Sequence, residues 1–121
     1  MHLIWKILIG AVIYDGFLSA VEYSERHRYW KWSRAYCDSV GKRMLQVGMR
    51  SSPLEPPNAD VTLDFDSEVL KIPGGVCADE RDMPFEDKEF GVAFNQHTLE
   101  HLHTPEDAEI AIHECARVAD Y

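Results

Sequence analysis

From residue 41 onward the apolar positions fall into four short runs, "KRMLQVG", "ADVTLDFD", "IPGGVCAD" and "EFGVAFNQ", each bounded by a glycine or polar residues. Runs of this length with such boundaries predict four strands. After the fourth the period changes. Thr104 offers an N-cap, Pro105 fits the first helical position, and Glu106 and Asp107 place acids in the first turn. Ala108, Ile112, Cys115, Ala116 and Ala119 then recur at spacings of three and four, which predicts an amphipathic helix to about Arg117 with those residues inward. Strands closing in this way, with a helix after the fourth, make an open α/β sheet. Ligands of such sheets bind beyond the carboxyl ends of the strands. Those ends are Gly48, Asp64, Asp79 and Asn95, so topology alone nominates these four as the candidate pocket.

The first forty residues follow a different pattern. Residues 3–21 are apolar except for Lys6, Asp15 and Ser19, and 19 residues is about the length that crosses a bilayer as a helix. Lys6 and Asp15 lie on opposite sides of such a helix. A cleaved leader is disfavoured, because a cut after Ala20 would put Leu18 where a small residue is needed. The flank "ERHRYWKWSR" mixes Arg26, Arg28, Lys31 and Arg34 with Tyr29, Trp30 and Trp32, as juxtamembrane segments do. Two expectations stand side by side. In one, residues 3–21 anchor the chain in a membrane with the following domain in the cytoplasm; in the other, the segment is a docking helix that covers the sheet of a cytoplasmic protein. Either way the chain divides into an N-terminal helical region, 1–40, and an α/β domain, 41–121.

Charge sharpens this division. The net charge of −9 combines +4 over residues 1–50 with −13 over residues 51–121. So acidic a second half repels phosphate backbones, and no nucleic-acid partner is expected for it. At 121 residues there is room for a single α/β domain. The cysteines Cys37, Cys77 and Cys115 have no short spacing, which points to a reducing compartment and to small buried side chains rather than a disulfide framework or metal knuckle.

Within residues 76–118, Asp79 is followed by Met83, Pro84 and Phe85, by Asp87 to Phe90, by Leu99, Glu100 and His101, and by Arg117 and Val118. In order and spacing this resembles the cofactor domain of class I S-adenosylmethionine-dependent methyltransferases, and the resemblance extends over about residues 41–121. It implies a Rossmann-like, mainly parallel sheet of strand order 3-2-1-4 with flanking helices, and S-adenosylmethionine as cofactor. It also implies that Asp64 accepts bonds from both ribose hydroxyls, that Asp79 meets the adenine amino group, that Gly48 allows close backbone approach, and that Asn95 lies near the methionine portion. Two departures accompany it. The family's glycine-rich loop is replaced by "VGMRSSPLEPPNADV", in which Arg50 and Ser52 stand in place of glycines and Pro53, Pro56 and Pro57 leave no room for the usual helix. The chain also stops at "RVADY", where a fifth strand would begin. The expectation is therefore a C-terminally truncated member whose fourth strand is an open edge, or a homo-oligomer in which another chain covers that edge. No catalytic residue is nominated.

One further motif competes for function. His97, Glu100 and His101 spell H-x-x-E-H, the signature of a zinc peptidase class. A third ligand with evident geometry is lacking, and the resemblance instead makes this a short turn after the fourth strand with Leu99 inward and His103 and His113 at the surface. No metal site is predicted. The functional expectation is methyl transfer to an unspecified acceptor; its alternatives are a non-catalytic, membrane-tethered binding module and, third, a small zinc hydrolase.

Overall fold

The structure, a computed structural model, describes residues 2–50, 57–95, 102 and 104–121, with the backbone alone for residues 2–19 and 22. Helix α1 runs from His2–Val40 and leads into β1 (Arg43–Val47); β2 (Val61–Asp64), a short 3-10 helix (Ser67–Lys71), β3 (Gly75–Cys77), β4 (Phe90–Asn95) and α2 (Pro105–Val118) follow. The four strands form one sheet in the order β3-β2-β1-β4, and every pairing is parallel. This is the Rossmann-like arrangement that the resemblance implies.

Strand residues alternate between two covers. Leu45 and Val47 of β1, Val61 and Leu63 of β2 and Phe90 of β4 form a core with Val118 and Ala119 at the end of α2. On the other face Met44 and Val92 pack with Cys37 of α1 and with Ala59, flanked by Trp30 and Tyr36. The register of β4 slips by one residue here. Arg43 pairs with Phe90 but Met44 pairs with Val92, so Gly91 is the extra residue of a bulge. The slip lets Phe90 and Ala93 share the α2 side while Val92 and Phe94 serve the α1 side. It also brings β4 against α1 so closely that a Cβ on Gly91 would meet Cys37 Sγ at 2.8 Å. The last turns of α1 are thus packed on the sheet, and Arg34 Nη1 reaches Asp60 Oδ2 at 2.8 Å beside them. Burial alone would raise the Asp60 carboxyl, but the Met44 N–H and the Arg34 guanidinium together bring it below the usual carboxylate range.

Three features differ from the sequence expectation. Helix α2 begins as foreseen, with Thr104 Oγ1 accepting from Asp107 N at 3.1 Å; of the expected inner stripe Cys115 and Ala119 pack against the core, but Ala111 and Val118 are its most buried residues and Ile112 is 52% exposed. Cys77 is exposed rather than buried, whereas Cys37 is buried. The edge of β4 is not open along its length. Past α2 the chain is extended at Ala119, and Asp120 N donates to Phe90 O at 3.1 Å, Tyr121 N to Gly91 O at 3.1 Å and Ala93 N to Tyr121 O at 2.9 Å. Lys42 Nζ, at 2.9 Å, and the Tyr36 hydroxyl, at 3.0 Å, hold the Asp120 side chain in place. The run "RVADY" therefore already pairs with the sheet. Among the described residues no helix is long and apolar enough to cross a membrane.

Candidate functional site

A cleft of about 660 Å³ opens beyond the carboxyl ends of β1, β2 and β3, with Val47, Leu63, Asp64, Asp79, Glu80 and Arg81 in its walls. Asp64 closes β2, and both of its oxygens are already oriented. Oδ2 accepts from Met49 N at 2.9 Å and Oδ1 accepts from Asp66 N at 2.8 Å. Each carboxylate oxygen has two lone pairs, so one on each remains for a ligand. The carboxylate is held in place without being saturated.

Gly48 lies next to it at the end of β1. Its N–H donates to Leu63 O at 2.8 Å, and its φ of 97° turns the chain through a region where a side chain would be strained. The backbone is thereby bared toward the strand ends. Beneath it the buried Gln46 donates from Nε2 to Gly48 O at 2.8 Å and accepts from Ala59 N at 3.3 Å through Oε1. Between β1 and β2 the described residues form no helix, as the prolines imply; residues 51–56, with Ser52, Pro53 and Pro56, lie outside the described ones.

Asp79 also lines the cleft, but its carboxylate is occupied. Arg81 donates from its backbone N and from Nε to Oδ1, at 2.9 and 3.0 Å, and from Nε and Nη2 to Oδ2, at 3.2 and 2.6 Å. The Arg81 bonds hold the Asp79 carboxyl below the usual range against the opposing effect of burial. The same guanidinium reaches Asp107 Oδ1 in the first turn of α2 at 3.2 Å, so it ties the loop after β3 to the helix. Nothing in the sequence motif signals this role for Arg81.

Asn95 does not line the cleft. It pairs in register with Val47, and its side chain bonds the Cys115 thiol, whose pKa burial pushes up against that bond. Of the four nominated positions, then, Asp64 and Asp79 line the cleft, whereas Gly48, just past β1, and Asn95, at the end of β4, are not among its walls. The residues Met83 to Phe85 and Arg117 are joined for a structural reason. Arg117 donates from Nη2 to Met83 O at 3.0 Å and from Nη1 to Phe85 O at 2.8 Å, while Glu114, bonded to Arg117 at both oxygens, accepts from Met83 N at 2.7 Å. The loop is clamped onto α2. His97, Glu100 and His101 lie outside the described residues, and among the described ones no group of three His, Cys, Asp or Glu could hold a metal ion.

A family model described as a methyltransferase domain matches residues 41–120, from the turn after α1 to the paired tail. No curated protein and no solved structure matches the chain.

Proposed function

This chain belongs, through residues 41–120, to the class I S-adenosylmethionine-dependent methyltransferase family, and on that premise we propose that its cleft holds S-adenosylmethionine for methyl transfer to a separate acceptor. The observation that carries the reading is Asp64. Its carboxylate sits at the end of β2, fixed by two backbone N–H groups, with capacity left for two hydroxyls. A volume of about 660 Å³ falls within the range of small-molecule sites and suits a nucleoside-sized ligand. When bound, S-adenosylmethionine supplies a methyl group on a positively charged sulfur. This chain's own part is binding and orientation: Asp64 for the ribose diol, Gly48 for close backbone approach, and Asp79 for the adenine amino group once it shares one of its Arg81 bonds. Asp64, Asp66, Asp79 and Asp107, offset by Arg81, also give the cleft a negative field that favours a cationic ligand.

A second reading, a binding module that keeps the fold without turnover, is favoured by two observations. Asp79 is filled by Arg81, and Arg50 stands where the family has a glycine. Calorimetry with S-adenosylmethionine tests both. Losing a carboxylate that accepts two hydroxyl bonds costs about 2–3 kcal/mol, or tens- to a hundredfold in affinity. Asp64→Ala should weaken binding by that factor, and Glu106→Ala, at an exposed position of α2, should change it little. Binding that is undetectable at millimolar ligand, or indifferent to Asp64→Ala, overturns the cofactor reading; binding without methyl transfer to any acceptor offered leaves the module.

A further inference from the structure

Helix α1 leaves the sheet at Trp30. Toward its start Val21, Tyr23 and Tyr29 are 40 to 56% exposed, and on the domain side Trp32 stays 50% exposed although its ring stacks on Tyr36 and meets Tyr121 edge-on at 5.6 Å. This stretch mixes two chemistries. The aromatics Tyr23, Tyr29 and Trp32 alternate along the helix with Arg26, Arg28 and Lys31. At about 100° per residue these six encircle the axis, with no gap wider than about 80°. A helix that lies flat on a bilayer has one apolar face and one charged face. A ring of amphipathic aromatics and cations instead suits a helix that enters the headgroup layer end-on, because every side of it then meets the same depth of interface.

We infer that residues 21–32 of α1 form a collar for the surface of an anionic lipid bilayer, with the helix start directed into the lipid and the α/β domain held outside. Three further observations fix the occupant. The sequence ahead of the collar, residues 3–20, is apolar but for Lys6, Asp15 and Ser19, so continuity of the helix carries apolar residues past the ring. Tyr23, Ser24, His27, Arg28 and Lys31 share one side of the collar, donors that suit a phosphate-bearing headgroup. Within residues 21–32 Arg26, Arg28 and Lys31 outnumber Glu22 and Glu25, while residues 51–121 carry −13, so an anionic surface attracts the collar and repels the domain. A nucleic acid would meet the same cations but also the repelling domain. The helix end needs to enter the lipid, not to cross it. The inference is independent of the methyltransferase reading, since none of its residues touches the cleft.

The test uses the full chain and vesicles of phosphatidylcholine alone or mixed with phosphatidylserine, with bound protein measured by co-sedimentation. Tighter binding to the mixed vesicles, weakening as salt is added, is expected. Each surface cation contributes about fivefold, so Arg28→Gln combined with Lys31→Gln should lose about 25-fold on mixed vesicles and little on phosphatidylcholine. Tyr23→Ser and Tyr29→Ser sit about 120° apart around the helix, and an encircling collar predicts that each weakens binding to both vesicles. Equal binding to the two compositions, no binding to either, or an indifferent double variant overturns the inference; so does sensitivity confined to one of the two aromatic positions, which marks a flat helix or a one-sided protein contact.

Discussion

Where α2 covers the sheet, Leu45, Val47, Leu63, Phe90 and Val118 form an apolar layer in which each is 1% exposed or less, while under α1 the layer of Cys37, Met44, Ala59 and Val92 includes the buried polar side chains of Gln46 and Thr62. The first face is held by area removed from water. The second trades some of that area for direction: Gln46 bonds Gly48 at one end of the β1–β2 connection and Ala59 near the other. With no helix among the described residues of that connection, a side chain under the sheet positions the backbone that borders the cleft. The apolar face stabilises the domain, and the mixed face shapes its site.

Variants on either face can break this contrast. The largest effect is expected from Phe90→Ala, which empties the centre of the α2 layer and removes the edge-on ring contact with Phe85, 4.9 Å between centroids; a loss of about 3–5 kcal/mol in denaturant unfolding is expected. At the rim of the same face, Glu114→Gln keeps an acceptor for Met83 N but loses the ion pair with Arg117, and should cost about 1–2 kcal/mol at neutral pH. The Arg117 bonds lower the Glu114 carboxyl from its ordinary value, against burial and with help from the Met83 N–H. Its stabilisation is therefore present above the unfolded glutamate value and lost as pH falls through the lower folded one, so the gap between wild type and variant should close on acidification. The smallest effect has the opposite sign. Thr62 Oγ1 is buried and has no hydrogen-bond partner among the described residues, so Thr62→Val should stabilise by about 0.5–1 kcal/mol in the same unfolding measurement. A destabilised Thr62→Val would mean that the mixed face uses this hydroxyl after all.

The strands were legible because each apolar run is bounded by glycine or polar residues, and their order followed from the family resemblance. The start of α2 was legible for a similar local reason, since Thr104 and Pro105 act on their own turn. Its inner stripe was legible only in part, at Cys115 and Ala119. Ala108, Ile112 and Cys115 and the neighbouring Ala111, Cys115 and Val118 are adjacent ridges of one helix, and the choice between them rests with Phe90 and the sheet. At the site, Gly48, Asp64 and Asn95 sit at strand ends as the runs imply, whereas the direction of the Asn95 side chain depends on Cys115 across the layer. Arg81 and Arg117 were invisible as partners: Arg117 meets Asp87 thirty positions away at 3.0 Å, and no spacing rule reaches that far.

The wholly parallel sheet bears on how the chain finds its fold. None of its pairings can begin as a hairpin, because parallel neighbours need a crossover. β1 meets β2 with Leu45 opposite Val61, and meets β4 with Val47 opposite Asn95, so the second pairing closes a loop about three times as long. Closure entropy grows only with the logarithm of length, and the longer loop is disfavoured by about 1 kcal/mol. The β1–β2 pair is thus the easier to close, but by a margin that one well-placed apolar contact can reverse. β1, bonded on both sides, is the strand that either route must set first, and its own start is fixed locally where Lys42 N donates to Cys37 O at the end of α1.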